Sequence, residues 1–392
     1  KYTAGHGRVR KLIDLGSEET FGKPHIADSK ATAAYLLTGD PKVAEKLQLV
    51  GRLRKYLDCM GAFDKMRFLA QAVVLYDALI DSGLIDAQES GVMRAKMVFL
   101  AYHLADPSNW SVERGYRSYN LNMSVNHLLN LGRIACVLKE HPMAETWFRP
   151  AAAMMEDMLA QVGPEGEWPE SVSNYVHVTA SAMLSFAVMA KSAGFADYVN
   201  DTRMKKLCSF MAKQYAPCGI RNPKDGRRAL PPHGRSQAGH RWALAGIMAR
   251  ATRKTDPRYS AEQQWCWLKT GPSYDVEQFG GWEEAYTDTG LPAAHPSWES
   301  EAFPQAGVIF RHGFGTKDEF YANIVSADFN HQVFPSETGC VSMFHAMGSP
   351  LAGSFFGGYS EREECLTSRV SLARKDNSPE RRRSCFGYTG TE

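Results

Sequence analysis

The strongest constraint on the fold is a helical repeat of apolar residues that continues from about Ala27 to Thr270. In successive segments apolar side chains recur at steps of three and four residues, which gives a helix one apolar face. Breaks such as Gly39-Asp40-Pro41 divide the run into about nine helices. Because each helix must bury its apolar face, the pattern predicts an array of antiparallel helix pairs.

The links between these helices are alternately short and long. The long ones, at 106–119, 162–174 and 216–233, are rich in Gly, Pro, Trp, His and Arg. Alternate connections in an array of antiparallel pairs emerge at the same end, so the three long links should share one rim. Polar and aromatic residues on that rim are predicted to line a cleft.

After Thr270 the sequence changes character. Residues 271–304 are rich in Pro, Gly and Trp, and from 305 onward short runs such as "EFYANIVSAD" alternate between apolar and polar residues. The chain is therefore predicted to be a multidomain α+β protein. It has a helical domain at 1–270, a linker at 271–304, and an antiparallel sheet domain at 305–392 with four to six strands.

Charge and composition exclude some classes of partner. The chain has 45 Lys and Arg against 43 Asp and Glu, so no global field attracts nucleic acid or a membrane, and any polyanion must be held by a local cleft. No apolar run approaches the roughly 20 residues of a membrane-spanning helix, so a soluble protein is expected. The eight cysteines contain no C-x-x-C pair, which argues against a zinc ribbon and favours buried thiols.

The first candidate for chemistry is "GEWPESVSNYVHV", residues 166–178. Trp168 and Glu170 stand in a Gly- and Pro-rich loop, and Tyr175 begins the apolar run that follows. In one interpretation the acids cap a helix and Tyr175 packs inward. In the other, the helix dipole favours the ionised phenol, so Tyr175 can pass a proton. The residues alone leave both interpretations open.

The second candidate is "LPPHGRSQAGHRWAL", in which His233, Arg235 and His240 are close together around a helix start. These side chains could be solvated charges of a Pro-ended loop. They also suit an anion, because backbone N–H groups at a helix start and a guanidinium both bind a carboxylate or sulfate.

Two further groups lie on either side of these motifs. Asn120 and Asn122 open a helix, either as N-caps or as amides that bind a substrate carboxylate. His331 and Tyr359 lie in the β segment, where no compact metal-ligand spacing occurs. No cofactor is required, and the sequence gives no support for a structural zinc or calcium ion.

In this order the motifs resemble those of the heparinase II/III-like and alginate lyase superfamily of polysaccharide lyases, over roughly residues 27–365. The resemblance is carried by the loop ending in "ESVSNYVH", by "PPHGRS", and by the His- and Gly-containing β segment that includes "GSPL". It implies an incomplete (α/α) toroid at 1–270 followed by antiparallel sheet, and a secreted or periplasmic enzyme. The implied partner is an acidic polysaccharide, with no nucleic acid or membrane; an oligomer is compatible with it.

The resemblance also implies roles for individual residues. Tyr175 matches the catalytic Tyr, and Asn122, or in second place Asn120, matches the Asn that binds the uronate carboxylate. His331 and His233 match catalytic histidines, whereas Arg235, His240, Glu170, Trp168 and Tyr359 are assigned to substrate binding. Relatives carry Gly-Asp near Arg235 and a His-x-His-x-Asp run where this chain has Val333, Pro335 and Glu337. We therefore expect altered subsite charge, no family-type zinc site, and a fragment or abbreviated member.

Two other classes of function fit the residues. An (α/α)-barrel glycoside hydrolase needs a pair of carboxylates, which Glu167, Glu170, Glu283 or Glu284 could supply. A non-catalytic glycan-binding protein of the same fold would explain the missing His-x-His run.

Overall fold

The structure is a computed structural model in which part of the chain is described. Described residues are all except 1–2, 4–6, 18–23, 59–65, 109–120, 169, 171–174, 219–222, 232–242, 272–281, 305, 326–339 and 354–392. Their helices are α1 (Gly7–Ser17), α2 (Pro24–Thr38), α3 (Pro41–Lys46), α4 (Leu49–Asp58), α5 (Met66–Leu79), α6 (Ala87–Ala105), α7 (Leu121–Val137), α8 (Ala144–Leu159), α9 (Tyr175–Ala193), α10 (Thr202–Lys213), α11 (Leu244–Thr252), α12 (Pro257–Thr270) and α13 (Trp282–Tyr286).

Local sequence signals set the helix ends. The predicted break after α2 is confirmed: Gly39 adopts a positive φ of 62°, and the Asp40 carboxylate accepts a hydrogen bond from the Lys42 N–H at 2.9 Å. Pro41 then occupies the first turn of α3, where its missing N–H costs nothing. Asp86 caps α6 in the same way, accepting from the Glu89 N–H at 2.8 Å.

The alternation of short and long links is confirmed by the helix bounds. Long links occupy 106–120, 160–174 and 214–243, and short links at 138–143 and 253–256 join α7 to α8 and α11 to α12. The short links produce tight helix pairs. The long ones contain some of the candidate functional residues, namely Asn120, Trp168, Glu170, His233, Arg235 and His240.

The chain divides into two compact units that interleave along the sequence. The first unit contains Lys1–Met158, Ser181–Val199 and Tyr274–Asp288, and the second contains Leu159–Ala180, Asn200–Ser273 and Thr289–Glu392. Helix α9 contributes its beginning to the second unit and its remainder to the first. The second unit thus holds helices and sheet together.

In the first unit, α7 packs closely against α9. A side chain on Gly132 would meet the Phe186 ring at 2.4 Å and Ala151 at 2.5 Å, so only glycine permits this approach. The next residue, Arg133, is fully buried and donates to the Ala182 carbonyl at 2.7 Å. Burial lowers the pKa of Arg133 to about 10, and the nearby Glu283 charge counteracts part of that decrease.

The predicted β runs form one antiparallel sheet in the second unit. Its strands are β1 (Glu301–Phe303), β2 (Gly307–His312), β3 (Phe320–Val325), β4 (Val341–Ala346) and β5 (Ser349–Gly353). They pair in sequence order, each antiparallel to the next. The α+β fold class is confirmed, and β1 lies inside the segment predicted to be a linker.

Helix α9 is longer and more apolar than the sequence analysis recognised. In length and composition it could cross a membrane, although 78% of the relevant window is buried inside the protein, as in the core helix of a globular protein. Cysteines behave as expected: all five in the described part of the chain are buried. Burial raises the pKa of the Cys208 and Cys266 thiols to about 12, which makes them poor nucleophiles.

Candidate active site

Tyr175 is the first residue of α9. Its side chain is half-buried, whereas Val176, His177 and Val178 behind it are buried. The phenol therefore lies on the first turn of the helix, at the positive end of the dipole, as the sequence predicted. Half-burial leaves part of the ring accessible to a ligand.

The loop before Tyr175 is held against α10. The Gly163 N–H donates to the Glu167 carbonyl at 2.9 Å, and the Lys206 ammonium donates to the Pro164 carbonyl at 2.5 Å. Gly166 adopts a φ of 97°, and a side chain there would come within 2.2 Å of the Lys206 carbonyl oxygen. This close approach of two backbones requires glycine.

Glu170 connects this loop to α9. Its Oε2 accepts hydrogen bonds from the Trp168 indole N–H at 2.8 Å and from the Thr179 hydroxyl at 2.6 Å. Thr179 lies four residues after Tyr175, so the two side chains occupy the same helix face. Only 1% of Trp168 and 2% of Glu170 is exposed, so both residues support the loop; their predicted contact with substrate stays a prediction.

A pocket lies where four helices of the second unit have their ends. It is lined by His177 near the start of α9, Met211 and Tyr215 at the end of α10, Leu244 at the start of α11, and Thr270 at the end of α12. Its empty volume is about 280 Å³, open solvent included. Links 160–174 and 214–243 both begin or end at these helix ends, whereas the common rim that includes the link at 106–119 stays a prediction.

His177 was missed by the sequence reasoning. It is 1% exposed and lines the pocket two residues after Tyr175. A single imidazole at the start of an otherwise apolar helix was the available signal. Because side chains at i and i+2 point to different faces of a helix, His177 and Tyr175 are directed differently.

Beside the pocket lies a buried ion cluster, which we call the Arg-Glu-Arg cluster: Arg228 of the link before α11, Arg311 of β2, and Glu319 just before β3. Arg228 binds both Glu319 carboxylate oxygens, at 2.7 and 2.8 Å, and Arg311 Nε lies 3.2 Å from the same carboxylate. Burial, together with the neighbouring Arg228 charge, lowers the pKa of Arg311 to about 10. For Glu319, burial alone would raise the pKa, but hydrogen bonding to Arg228 and both guanidinium charges leave it below its ordinary value.

The same cluster caps the C-terminal end of α10. Both guanidiniums donate to the Tyr215 carbonyl, Arg228 at 3.0 Å and Arg311 at 3.1 Å, and the Tyr321 hydroxyl donates to the Gln214 carbonyl at 2.8 Å. Carbonyls at a helix end have no partner within the helix. Arg228 of the link before α11 and Arg311 and Tyr321 of the sheet donate to these carbonyls, and this holds Tyr215 at the pocket wall.

Several predicted site residues lie outside the described part of the chain. These are His331, His233, Arg235, His240, Asn120 and Tyr359. Asn122 lies on the first turn of α7 as predicted, although its side chain is not among those described. Within the described residues there is no group of three or more His, Cys, Asp or Glu that could hold a metal ion.

Sequence comparison does not assign the chain. No protein-family model matches it, and no curated protein matches it either.

Solved structures do resemble it. Heparinase III, the BT4657 gene product, aligns with a TM-score of 0.57 at 13% identity, covering 93% of this chain and 59% of its own. A second structure of heparinase III aligns with a TM-score of 0.52 at 14% identity, covering 93% of this chain and 54% of its own. A mutant of heparan sulfate lyase HepC from Pedobacter heparinus aligns with a TM-score of 0.54 at 14% identity, covering 91% of this chain and 57% of its own. The chain thus spans little more than half the length of these proteins. At such identities the likeness concerns the fold alone: the chain has a heparinase III-like fold of helices followed by an antiparallel sheet.

Proposed function

We propose that the chain is part of a polysaccharide lyase that cleaves a uronate-containing glycan, alginate or glycosaminoglycan-like, by β-elimination. The observation that carries the proposal is the half-exposed Tyr175 on the first turn of α9, fixed through Thr179 and Glu170, in a heparinase III-like fold. A secreted or periplasmic location fits a polymeric substrate of this kind. Residues 1–270, 271–304 and 305–392 remain our proposed domain boundaries.

The reaction removes one proton and expels one sugar. A base takes the hydrogen from C5 of the uronate, the C–H electron pair becomes the C4=C5 double bond, and the C4–O4 bond breaks as O4 receives a proton. The C5 hydrogen is a weak acid, so stabilising the developing enolate-like charge is the largest demand. Tyr175 supplies the proton to O4 in this proposal and can also serve as the base.

Other residues complete the proposed site. Asn122 at the start of α7 binds the uronate carboxylate, with Asn120 as the second choice. His331 and His233 act as base or neutralise the carboxylate. The remaining proposed substrate contacts are Arg235, His240, Glu170, Trp168 and Tyr359.

The hydrolase alternative depends on free carboxylates, and two of the acids named for it, Glu167 and Glu170, fit it less well. Both Trp168 and Thr179 donate to Glu170, and the Glu165 N–H donates to Glu167 at 2.8 Å. Glu167 is fully buried, and only 2% of Glu170 is exposed. These contacts favour a role for both acids in holding the loop, which supports the lyase over the hydrolase.

The test is to incubate the protein with alginate, heparan sulfate, hyaluronan and related polymers and to follow the ultraviolet absorbance of the unsaturated uronyl end. Tyr175→Phe should lower kcat about 10²- to 10⁴-fold with the fold intact. Tyr102→Phe, at a half-exposed position on α6, is the matched control and should be unaffected. New reducing ends without absorbance would favour the hydrolase. Binding without turnover by the folded protein would favour the glycan-binding alternative.

A further inference from the structure

Four aromatic rings meet on the second unit, in a cluster that the proposed chemistry does not use. This aromatic patch consists of Trp265 of α12, His295 and Trp298 from the segment before β1, and Phe314 between β2 and β3. The Phe314 ring centre lies 5.2 Å from that of Trp265, 5.0 Å from His295 and 5.6 Å from Trp298, with which it is stacked. Such spacing lies within the normal range for interacting aromatic rings.

The patch reaches the surface and its geometry is fixed. His295 is exposed, and the other three rings are half-buried. His295 Nε2 lies 3.0 Å from the Phe314 carbonyl oxygen. Gly315 has a φ of 76°, and a side chain there would come within 2.2 Å of His295 Nε2. The position of the imidazole therefore depends on glycine at 315.

Two lysines lie beside the patch, and a buried cluster of net positive charge lies below it. The Lys269 ammonium lies 5.5 Å from the Trp265 ring centre, and Lys269 has no ion pair with any residue in the described ranges. Lys213 lies 6.0 Å from the Trp298 ring and is neutralised by Glu301 at 2.6 Å. Beneath the patch, the two guanidiniums of the Arg-Glu-Arg cluster lie 4.8 and 4.6 Å from the Phe314 ring and share one carboxylate.

We propose that the aromatic patch is a second binding subsite for an acidic glycan. Aromatic faces pack against the apolar C–H faces of pyranose rings, and Lys269 with the net positive cluster below attracts their carboxylate or sulfate groups. This inference rests on the proposed function, because its ligand is a further segment of the same polymer.

The Arg-Glu-Arg cluster connects the patch to the pocket. Its guanidiniums contact Phe314 and also donate to the Tyr215 carbonyl at the pocket wall. The same buried cluster therefore contacts both the aromatic patch and the pocket wall. The patch is therefore suited to hold the polymer and to raise affinity for long chains.

The experiment measures binding to heparan sulfate by affinity electrophoresis, with the full chain carrying Tyr175→Phe so that little substrate is consumed. Trp265→Ala and Trp298→Ala should each weaken polymer binding about tenfold, and Lys269→Ala should weaken it less. Trp298→Phe keeps a ring and should retain most of the affinity. Phe99→Ala, which removes a half-exposed ring on α6, should change nothing.

Other outcomes would overturn the proposal. If the Trp variants lower Tm and leave polymer affinity unchanged, the rings are only a small core under the segment before β1. Equal binding of a neutral polysaccharide would contradict an acidic ligand. If the wild-type protein cleaves the polymer but the patch substitutions leave polymer affinity unchanged, the patch proposal is wrong and the lyase proposal stands. If binding depends on the patch but the wild-type protein forms no unsaturated product, the lyase proposal is wrong and the patch proposal stands.

Discussion

Two buried carboxylates in the second unit differ in what surrounds them. Glu170 is 2% exposed and accepts from two neutral donors, the Trp168 indole and the Thr179 hydroxyl. Glu319 is fully buried and lies between two guanidiniums. The partners of Glu170 are two and nine residues away in sequence, whereas Arg228 is 91 residues from Glu319.

This difference separates two uses of a buried acid. Glu319 joins the sheet to the end of α10, and its removal would leave two buried cations without their counter-charge. Glu170 fixes a short loop on the helix turn that presents Tyr175, where neutral donors set position without a buried ion pair. We infer that Glu319 mainly determines stability, and that Glu170 mainly determines the geometry of the proposed site.

The largest effect is expected from Glu319→Gln, which keeps the volume and removes the charge. Breaking a buried ion pair typically costs about 3–5 kcal/mol, so the free energy of unfolding in urea should fall by about that amount. Glu301→Gln is the control, because its partly exposed pair with Lys213 should be worth about 1 kcal/mol or less. Equal losses of unfolding free energy in Glu319→Gln and Glu301→Gln would contradict the stabilising role inferred for the buried Glu319 carboxylate.

A smaller effect is expected from Glu170→Gln. The amide keeps one acceptor but loses the charge-assisted bonds, which should cost about 1–3 kcal/mol of stability and lower lyase kcat by displacing Tyr175. Thr179→Val should reproduce part of this loss, whereas Thr179→Ser, which keeps the hydroxyl, should not. Glu165→Gln in the exposed part of the same loop is the matched control. A kcat that is unchanged in the folded Glu170→Gln variant would contradict the positioning role.

The smallest effect concerns acid pH. The pKa of Glu319 in the folded protein is below its ordinary value of 4.5, since the Arg228 bond and charge outweigh burial. A depressed carboxyl pKa adds stability that is present above the unfolded pKa and is lost as pH falls through the folded pKa. The difference in unfolding free energy between wild type and Glu319→Gln should therefore shrink below pH 4.5. A difference that grows on acidification would contradict this sign.

Much of the fold could be predicted because its signals are local. The break at Gly39-Asp40-Pro41 depends on a cap and a proline within three residues, and the start of α9 at Tyr175 follows a loop with Pro164 and Gly166. Alternating apolar residues likewise indicated β2 to β5. Strand β1 has only three residues, too few for alternation to show, and so it was placed in a linker.

The candidate site was predictable only in part, because its contacts join distant segments. Tyr175 could be assigned to a helix start from its own neighbours, but the Thr179 bond to Glu170 depends on how the loop folds back. Nothing near Arg228 in sequence indicates Glu319 as its partner. For α9, the apolar composition indicated a buried face, but only the packing shows that 78% of its most apolar window is inside the protein.

The alternation of link lengths has a consequence for how such a protein can change. Short links such as 138–143 and 253–256 hold helix pairs together, whereas the long links carry the residues assigned to substrate. Under the proposed function, we expect substitutions in 160–174 or 214–243 away from Gly166, Glu170 and Arg228 to alter polymer preference while the helix pairs keep their packing. Under the proposed function, we expect an exchange of these two links between related chains to transfer polymer preference, provided that Gly166 and the Arg228 of the Arg-Glu-Arg cluster are retained.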